Sequence, residues 1–101
     1  MNKYFMLRLN PPRPTFAQDM TDAERKVMKQ HVGYWTNLMN QGKALVFGPV
    51  LDPKGVYGLG IIAAESDEEL KGIMTNDPAN GLNKYECYPM NTIVPNKIAG
   101  L

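Results

Sequence analysis

Apolar positions recur along this chain with two different periods, and the switches between them divide it into elements. Tyr4 to Leu9 (YFMLRL) follows a period of two and predicts a first strand, ended by Pro11, Pro12 and Pro14, which cannot supply ladder donors. A loop is expected to about Met20. Thr21-Asp22-Ala23-Glu24 then has capping-box spacing, in which Thr21 and Glu24 each satisfy a backbone donor of the other, so a helix begins there. Gly42 should end it. Along that helix Val27, His31, Tyr34 and Leu38 form one stripe, and Met28, Val32, Trp35 and Met39 form the adjoining one. Together they predict a broad buried face.

Ala44 to Val50 reads as a second strand, and Leu51-Asp52-Pro53-Lys54-Gly55 has the proline and glycine placement of a tight turn into a third, Val56 to Ala64. Ser66-Asp67-Glu68-Glu69 repeats the capping-box pattern and starts a short helix through Leu70 and Ile73, which stops near Asn76-Asp77-Pro78. Lys84 to Met90 alternates Tyr85 and Cys87 against Glu86 and Tyr88, a last strand that Asn91 to Val94 could extend before a tail expected to fray. Repeats, low-complexity runs and linkers are absent. One domain over residues 1–101, with a core of about 3–95, is the expectation.

The order strand, helix, strand, strand, helix, strand predicts an α+β fold of the ferredoxin-like, split βαβ type: an antiparallel sheet with two helices on one face. Those helices leave the other face bare. The strands are nevertheless apolar on both sides, since Phe5, Leu7 and Leu9 alternate with Tyr4 and Met6, and Tyr57, Leu59 and Ile61 with Val56 and Ile62. In a chain with no spare element the economical cover is a second copy, packed sheet to sheet about a two-fold axis, so a homodimer is expected.

Composition narrows the function. In 101 residues, 11 basic and 10 acidic side chains nearly cancel, which removes the long-range field that recruits nucleic acid or anionic membrane. The apolar run at Tyr4–Leu9 is too short for a signal-peptide core, so a cytoplasmic location is expected. A single cysteine, Cys87, cannot form an internal disulfide, and with a single histidine it cannot build a zinc cage. Neither a metal nor a cofactor is expected. The only serine, Ser66, is needed as a helix cap, which argues against a serine hydrolase. Cys87, mid-strand among tyrosines, reads as a small buried hydrophobe. Gly58-Leu59-Gly60 lies within a strand with no helix after it, so its glycines leave room for a packed side chain or ligand rather than cradle phosphate.

His31, the run Gly42-Lys43-Ala44-Leu45-Val46-Phe47-Gly48-Pro49, Gly55, and Asp77-Pro78, in that order, resemble the YCII-related (YciI-like) domain family, over nearly the whole chain from Tyr4 to about Val94. The resemblance implies a dimeric α+β barrel, in which two ferredoxin-like sheets face each other. It also implies a pocket holding a histidine and an aspartate proposed for catalysis, here His31 and Asp77, in a family most of whose members lack an assigned reaction. Relatives implied by it act on lactones from aromatic degradation. After Pro78, where many members carry an aromatic, this chain has Ala79-Asn80-Gly81.

Each candidate has a plain structural reading. His31 could simply pack on Trp35 and bond a backbone carbonyl. Yet imidazole is the side chain that changes charge near neutral pH, and a neighbouring carboxylate can fix its tautomer and increase its proton affinity. Asp77 could serve only as a turn that ends the helix. Asp19, Asp22 and Asp52 read as solvated or capping groups. Arg8 shares the face of Tyr4 and Met6 and could hold a substrate carboxylate, or else reach solvent or an acid of the partner chain. Tyr4, Tyr34 and Trp35 could line a substrate pocket, as could Tyr57, or belong to core and interface. The leading expectation is an isomerase- or lyase/dehalogenase-type enzyme moving a proton on a lactone or similar small acidic metabolite. In it His31 moves the proton, Asp77 orients it and Arg8 binds a carboxylate. The alternative is a non-catalytic ligand-binding or regulatory module of the same fold; a cofactor-free or haem-linked oxidative enzyme shares the fold alone.

Overall fold

The computed structural model describes residues 3–95. In chain order the elements are β1 (Lys3–Asn10), α1 (Phe16–Asp19), α2 (Asp22–Asn40), β2 (Ala44–Val50), β3 (Tyr57–Ala64), α3 (Asp67–Thr75) and β4 (Lys84–Met90). The four strands form one antiparallel sheet in the order β2-β3-β1-β4, the ferredoxin-like arrangement expected.

The local signals explain where most elements begin and end. Thr21 accepts from the Glu24 backbone N–H while the Glu24 carboxylate accepts from the Thr21 N–H, so two otherwise orphaned donors at the start of α2 are satisfied. The helix closes at Asn40, and Gly42 takes φ 78°, the left-handed turn that glycine adopts without a Cβ penalty. At the other cap the expectation is half met. Ser66 accepts from the Glu69 N–H, but the Glu69 carboxylate bonds the Glu65 N–H at 2.7 Å and the Lys43 ammonium at 2.9 Å instead of closing the box. Asp52 builds the β2–β3 turn, its carboxylate accepting from the Lys54 N–H.

Three expectations require correction. The loop before α2 contains a helical turn, α1, because the buried Phe16 anchors it and Arg13 ties it down through Asp19 and Glu24. β4 stops at Met90; residues 91–95 add no strand, and the tail expected to fray lies beyond the described residues. The second stripe of α2 is not uniformly buried: Trp35 is, but Val32 is 52% exposed and Met39 39%.

Register fixes what each face of the sheet carries. Phe5 lies opposite Ile62, Leu7 opposite Gly60 and Leu9 opposite Gly58 on one side of β1, with Cys87 and Tyr85 opposite Leu7 and Leu9 on the other. These side chains share the helix-covered face, where Phe5, Leu7 and Ile62 pack with Trp35 and Leu38 of α2 and Leu70 and Ile73 of α3. Cys87 packs at the margin of this core, as a small hydrophobe would. On β2 the register slips between Ala44 and Val46, so that Ala44 opposes Ile62 and Phe47 opposes Gly60. This bulge lets both Ala44 and Phe47, three residues apart, face the helices.

The opposite face carries Tyr4, Met6, Arg8, Leu59 and Ile61, and among the described residues no helix packs on it. Val46, Tyr88 and Met90 are 54%, 51% and 43% exposed.

Candidate active site

His31 sits midway along α2, in the stripe that faces the sheet, and Asp77 follows α3 directly after its cap, Asn76. Through these two residues α2 and the segment after α3 meet. His31 Nδ1 lies 2.8 Å and 3.0 Å from the two carboxylate oxygens of Asp77. Because an ionised carboxylate only accepts, the proton of this bond belongs to Nδ1, and the lone pair of the neutral ring is left on Nε2. The plain reading of His31 as bonded to a backbone carbonyl is not what the fold builds.

Asp77 is 3% exposed and fully engaged. Besides His31 it accepts from the Ala79 backbone N–H at 2.9 Å, from the Trp35 indole N–H at 3.2 Å and from the Tyr85 hydroxyl. The Tyr85 oxygen in turn accepts from the same indole N–H at 3.0 Å. Burial pushes the Asp77 carboxyl up, but the bonds from His31, Tyr85 and Ala79 and the charge of the imidazolium outweigh it and hold the group below its usual range. The same bond acts oppositely on the phenol: burial, then donation to Asp77, pushes Tyr85 strongly upward, so its hydroxyl keeps its proton. Asp77 therefore does more than end a helix turn. It is an ionised acceptor at the centre of four donors.

Beside this network lies a cavity of about 500 Å³, the size range of small-molecule sites. Its floor is the sheet at Leu7, Leu9, Gly58 and Gly60, its wall is α2 at Met28, His31, Val32 and Trp35, and its far side is the α1 segment at Phe16 and Met20. Exposure of Val32, unexpected for a helix stripe, follows from its position on this cavity. Gly60 is where the floor meets Trp35: a Cβ there would overlap the six-membered ring of the indole, so glycine is what allows the ring to lie on the strand. Phe47 stacks on the same indole with ring centroids 5.6 Å apart. Polar groups are few, namely Gln18, His31, Trp35, Tyr57, Asn83 and Tyr85, and among the described residues lining the cavity there is no lysine or arginine.

The expected site residues thus divide. His31, Asp77 and Trp35 come together. Tyr34 stands beside them in the core, but its hydroxyl donates to the Ile73 carbonyl at 2.7 Å and does not line the cavity. Tyr4 and Arg8 lie on the other side of the sheet, because alternation along β1 separates them from Leu7 and Leu9. Arg8 stacks over the Tyr57 ring at 3.7 Å and donates to Asn10, which donates to Glu86. Arg8 is not among the residues that line the cavity beside His31, and that cavity lies on the helix-covered side of the sheet. Sequence reasoning missed Tyr85 and Asn83. Period-two alternation put Tyr85 on the inward face, and a buried tyrosine hydroxyl demands a partner, so the signal was present for Tyr85; Asn83, 2% exposed and bonded to Ala79 and Met28, follows a loop with no periodic pattern.

No curated protein matches the sequence. Among solved structures the chain is similar to the 5-chloro-2-hydroxyhydroquinone dehydrochlorinase of Burkholderia phenoliruptrix AC1100, in complex with 2,5-dihydroxybenzoquinone. The two share 24% identity over 81% of this chain and 90% of that one, with a TM-score of 0.54, a likeness of fold. The YCII-related domain family matches residues 4–93, which includes both partners of the histidine–aspartate pair. The chain belongs to the YCII-related domain family.

Proposed function

We propose that this protein is an enzyme that moves a proton on a small cyclic metabolite, a lactone or a related ring, by isomerase- or lyase/dehalogenase-type chemistry. The observation that carries the proposal is an imidazole whose Nδ1 is held by a buried, ionised carboxylate at the wall of an apolar cavity. In this reading Nε2 of His31 removes a proton from a carbon beside a carbonyl, and the C–H electron pair moves into the ring as an enolate. Asp77 holds the imidazolium that forms. Return of the proton at another carbon completes an isomerisation; in an elimination the enolate pair forms a new double bond as a halide leaves with the electrons of the C–halogen bond, and the proton taken by His31 passes to water. The similar solved structure is that of a dehydrochlorinase, a protein whose named reaction is an elimination of this type. With no fixed cation among the described lining residues, a ring with a weakly acidic C–H or hydroxyl fits better than a multiply charged carboxylate.

The test is a panel of lactones and chlorinated hydroxyquinols, read by absorbance and chloride release. His31→Gln is expected to lower turnover of any accepted substrate by about a hundredfold or more, the scale of a lost general base. Equal turnover would reject the assignment, and unchanged ligand affinity with no turnover in either protein would identify a binding module.

We further infer that the bare sheet face meets a second copy of this chain. Tyr4, Met6, Leu59 and Ile61 lie on it together with the exposed Val46, Tyr88 and Met90, a grouped apolar face of the kind that marks an interaction site. Sedimentation equilibrium should return a dimer mass, and the double variant Ile61→Lys, Met6→Lys should return a folded monomer. A wild-type monomer would contradict the inference.

A further inference from the structure

Four donors converge on Asp77, and one of them, the His31 ring, stands at the cavity wall. The Tyr85 hydroxyl is the donor whose strength can be altered with the least change of shape. It stands on β4, opposite Leu9 of β1, and reaches Asp77 Oδ2, the oxygen that also lies 2.8 Å from His31 Nδ1. The two groups therefore compete for one acceptor. A carboxylate whose negative charge is partly taken up by a phenol holds an imidazolium less tightly than one that faces the imidazolium alone.

Resting on the proton-transfer reading above, we infer that Tyr85 is a positioning residue that acts through Asp77: its hydroxyl draws charge from the carboxylate and so lets His31 release, as well as accept, a proton. Trp35 completes the arrangement, since its indole N–H donates to both Asp77 and the Tyr85 oxygen and so orients the phenol towards the carboxylate. From α2 the titratable groups that face the network are His31 and Tyr34, and the Tyr34 hydroxyl is committed to the Ile73 carbonyl. From β4 there is Tyr85, and from the segment after α3, Asp77. Leu7 and Leu9 of β1 and Gly60 of β3 present no ionisable group to it. The strongly raised phenol of Tyr85 means that even a more acidic analogue at this position stays protonated at neutral pH.

The experiment follows the His31 ring by NMR across pH in three proteins: wild type, Tyr85→Phe, and a protein with a ring-fluorinated tyrosine incorporated at position 85. Loss of the donor is expected to move the midpoint of the ring titration upward by about half a pH unit or more, since one charge-assisted bond is partly returned to the imidazolium. The fluorinated phenol, a stronger donor of nearly the same shape, is expected to move it downward. Opposite shifts are not produced by a packing role, which would alter stability and leave the midpoint in place. Unmoved midpoints, or shifts of one sign in both proteins, overturn the inference. Turnover of His31→Gln tests the underlying reading separately. If the midpoints move as stated while His31→Gln retains full turnover, the coupling stands and the catalytic assignment falls.

Discussion

Asp77→Ala is expected to destabilise the protein by about 3–5 kcal/mol, the range seen when one member of a buried charged pair is removed. The cost comes less from the lost bonds than from the donors left behind. The Trp35 indole N–H, the Ala79 N–H and the Tyr85 hydroxyl all lose an acceptor in a place where water has little access. Each such orphan costs about 1–3 kcal/mol, although Trp35 and Tyr85 retain one another. Asp77→Asn keeps the volume but presents an N–H₂ to one of these donors, so it should be destabilising too, by less. Urea unfolding measures both, and a loss below about 1 kcal/mol for the alanine variant would show that the carboxylate is not the hub described. The pH dependence provides a second reading. Asp77 titrates lower in the folded protein than its ordinary value of 3.8, so its contribution to stability is complete above that pH and is lost as pH falls through the folded value. Both variants should therefore lose stability less steeply than wild type between about pH 4 and the acid limit, once compared at equal starting stability.

Gly60→Ala is the second large effect. The added methyl has nowhere to go: the strand is central in the sheet, paired with β1 and β2, and the indole already occupies the space above it. Either the strand or Trp35 must shift, and overpacking of this kind costs about 1–3 kcal/mol. The functional effect should exceed the stability effect. A displaced Trp35 breaks its bonds to Asp77 and Tyr85 and narrows the cavity at the wall His31 occupies, so ligand binding should fall even under conditions where the variant is folded. Gly58→Ala is the control, because its added Cβ meets the Leu9 Cβ at 3.3 Å, which a shift of a few tenths of an ångström between the strands relieves, against a far closer approach to the indole at Gly60. Equal behaviour of the two variants in urea and in ligand binding would argue against the indole as the organising group.

How much of this was legible beforehand follows from the range of the signals. Capping residues, prolines and period changes act over a few residues, and they located four strands and two long helices. Where a local signal meets a distant competitor it misleads. Glu69 has the spacing to close a box with Ser66, but Lys43, brought in by β2, and the Glu65 N–H take its carboxylate. The slip at Leu45 left no clear mark either, because a bulge is defined by the partner strand. His31 and Asp77 are 46 residues apart, and nothing local connects them; the family resemblance did. Arg8 shows the converse. Alternation assigned its face correctly, but left open whether that face lines a pocket. The cavity instead opens beneath α2, where glycines line the floor and the α1 segment forms a far wall.

In the proposed mechanism His31 Nε2 is a free base facing a ligand cavity while Nδ1 is held by Asp77. Long-range ¹⁵N–¹H NMR of the labelled ring, with 2,5-dihydroxybenzoquinone as the titrated probe, tests it most directly. The expected result is a neutral ring with its proton on Nδ1 in the free protein, and a probe that perturbs Nε2 while Nδ1 stays protonated. A ring protonated on Nε2, or a probe that binds without disturbing either nitrogen, would contradict it.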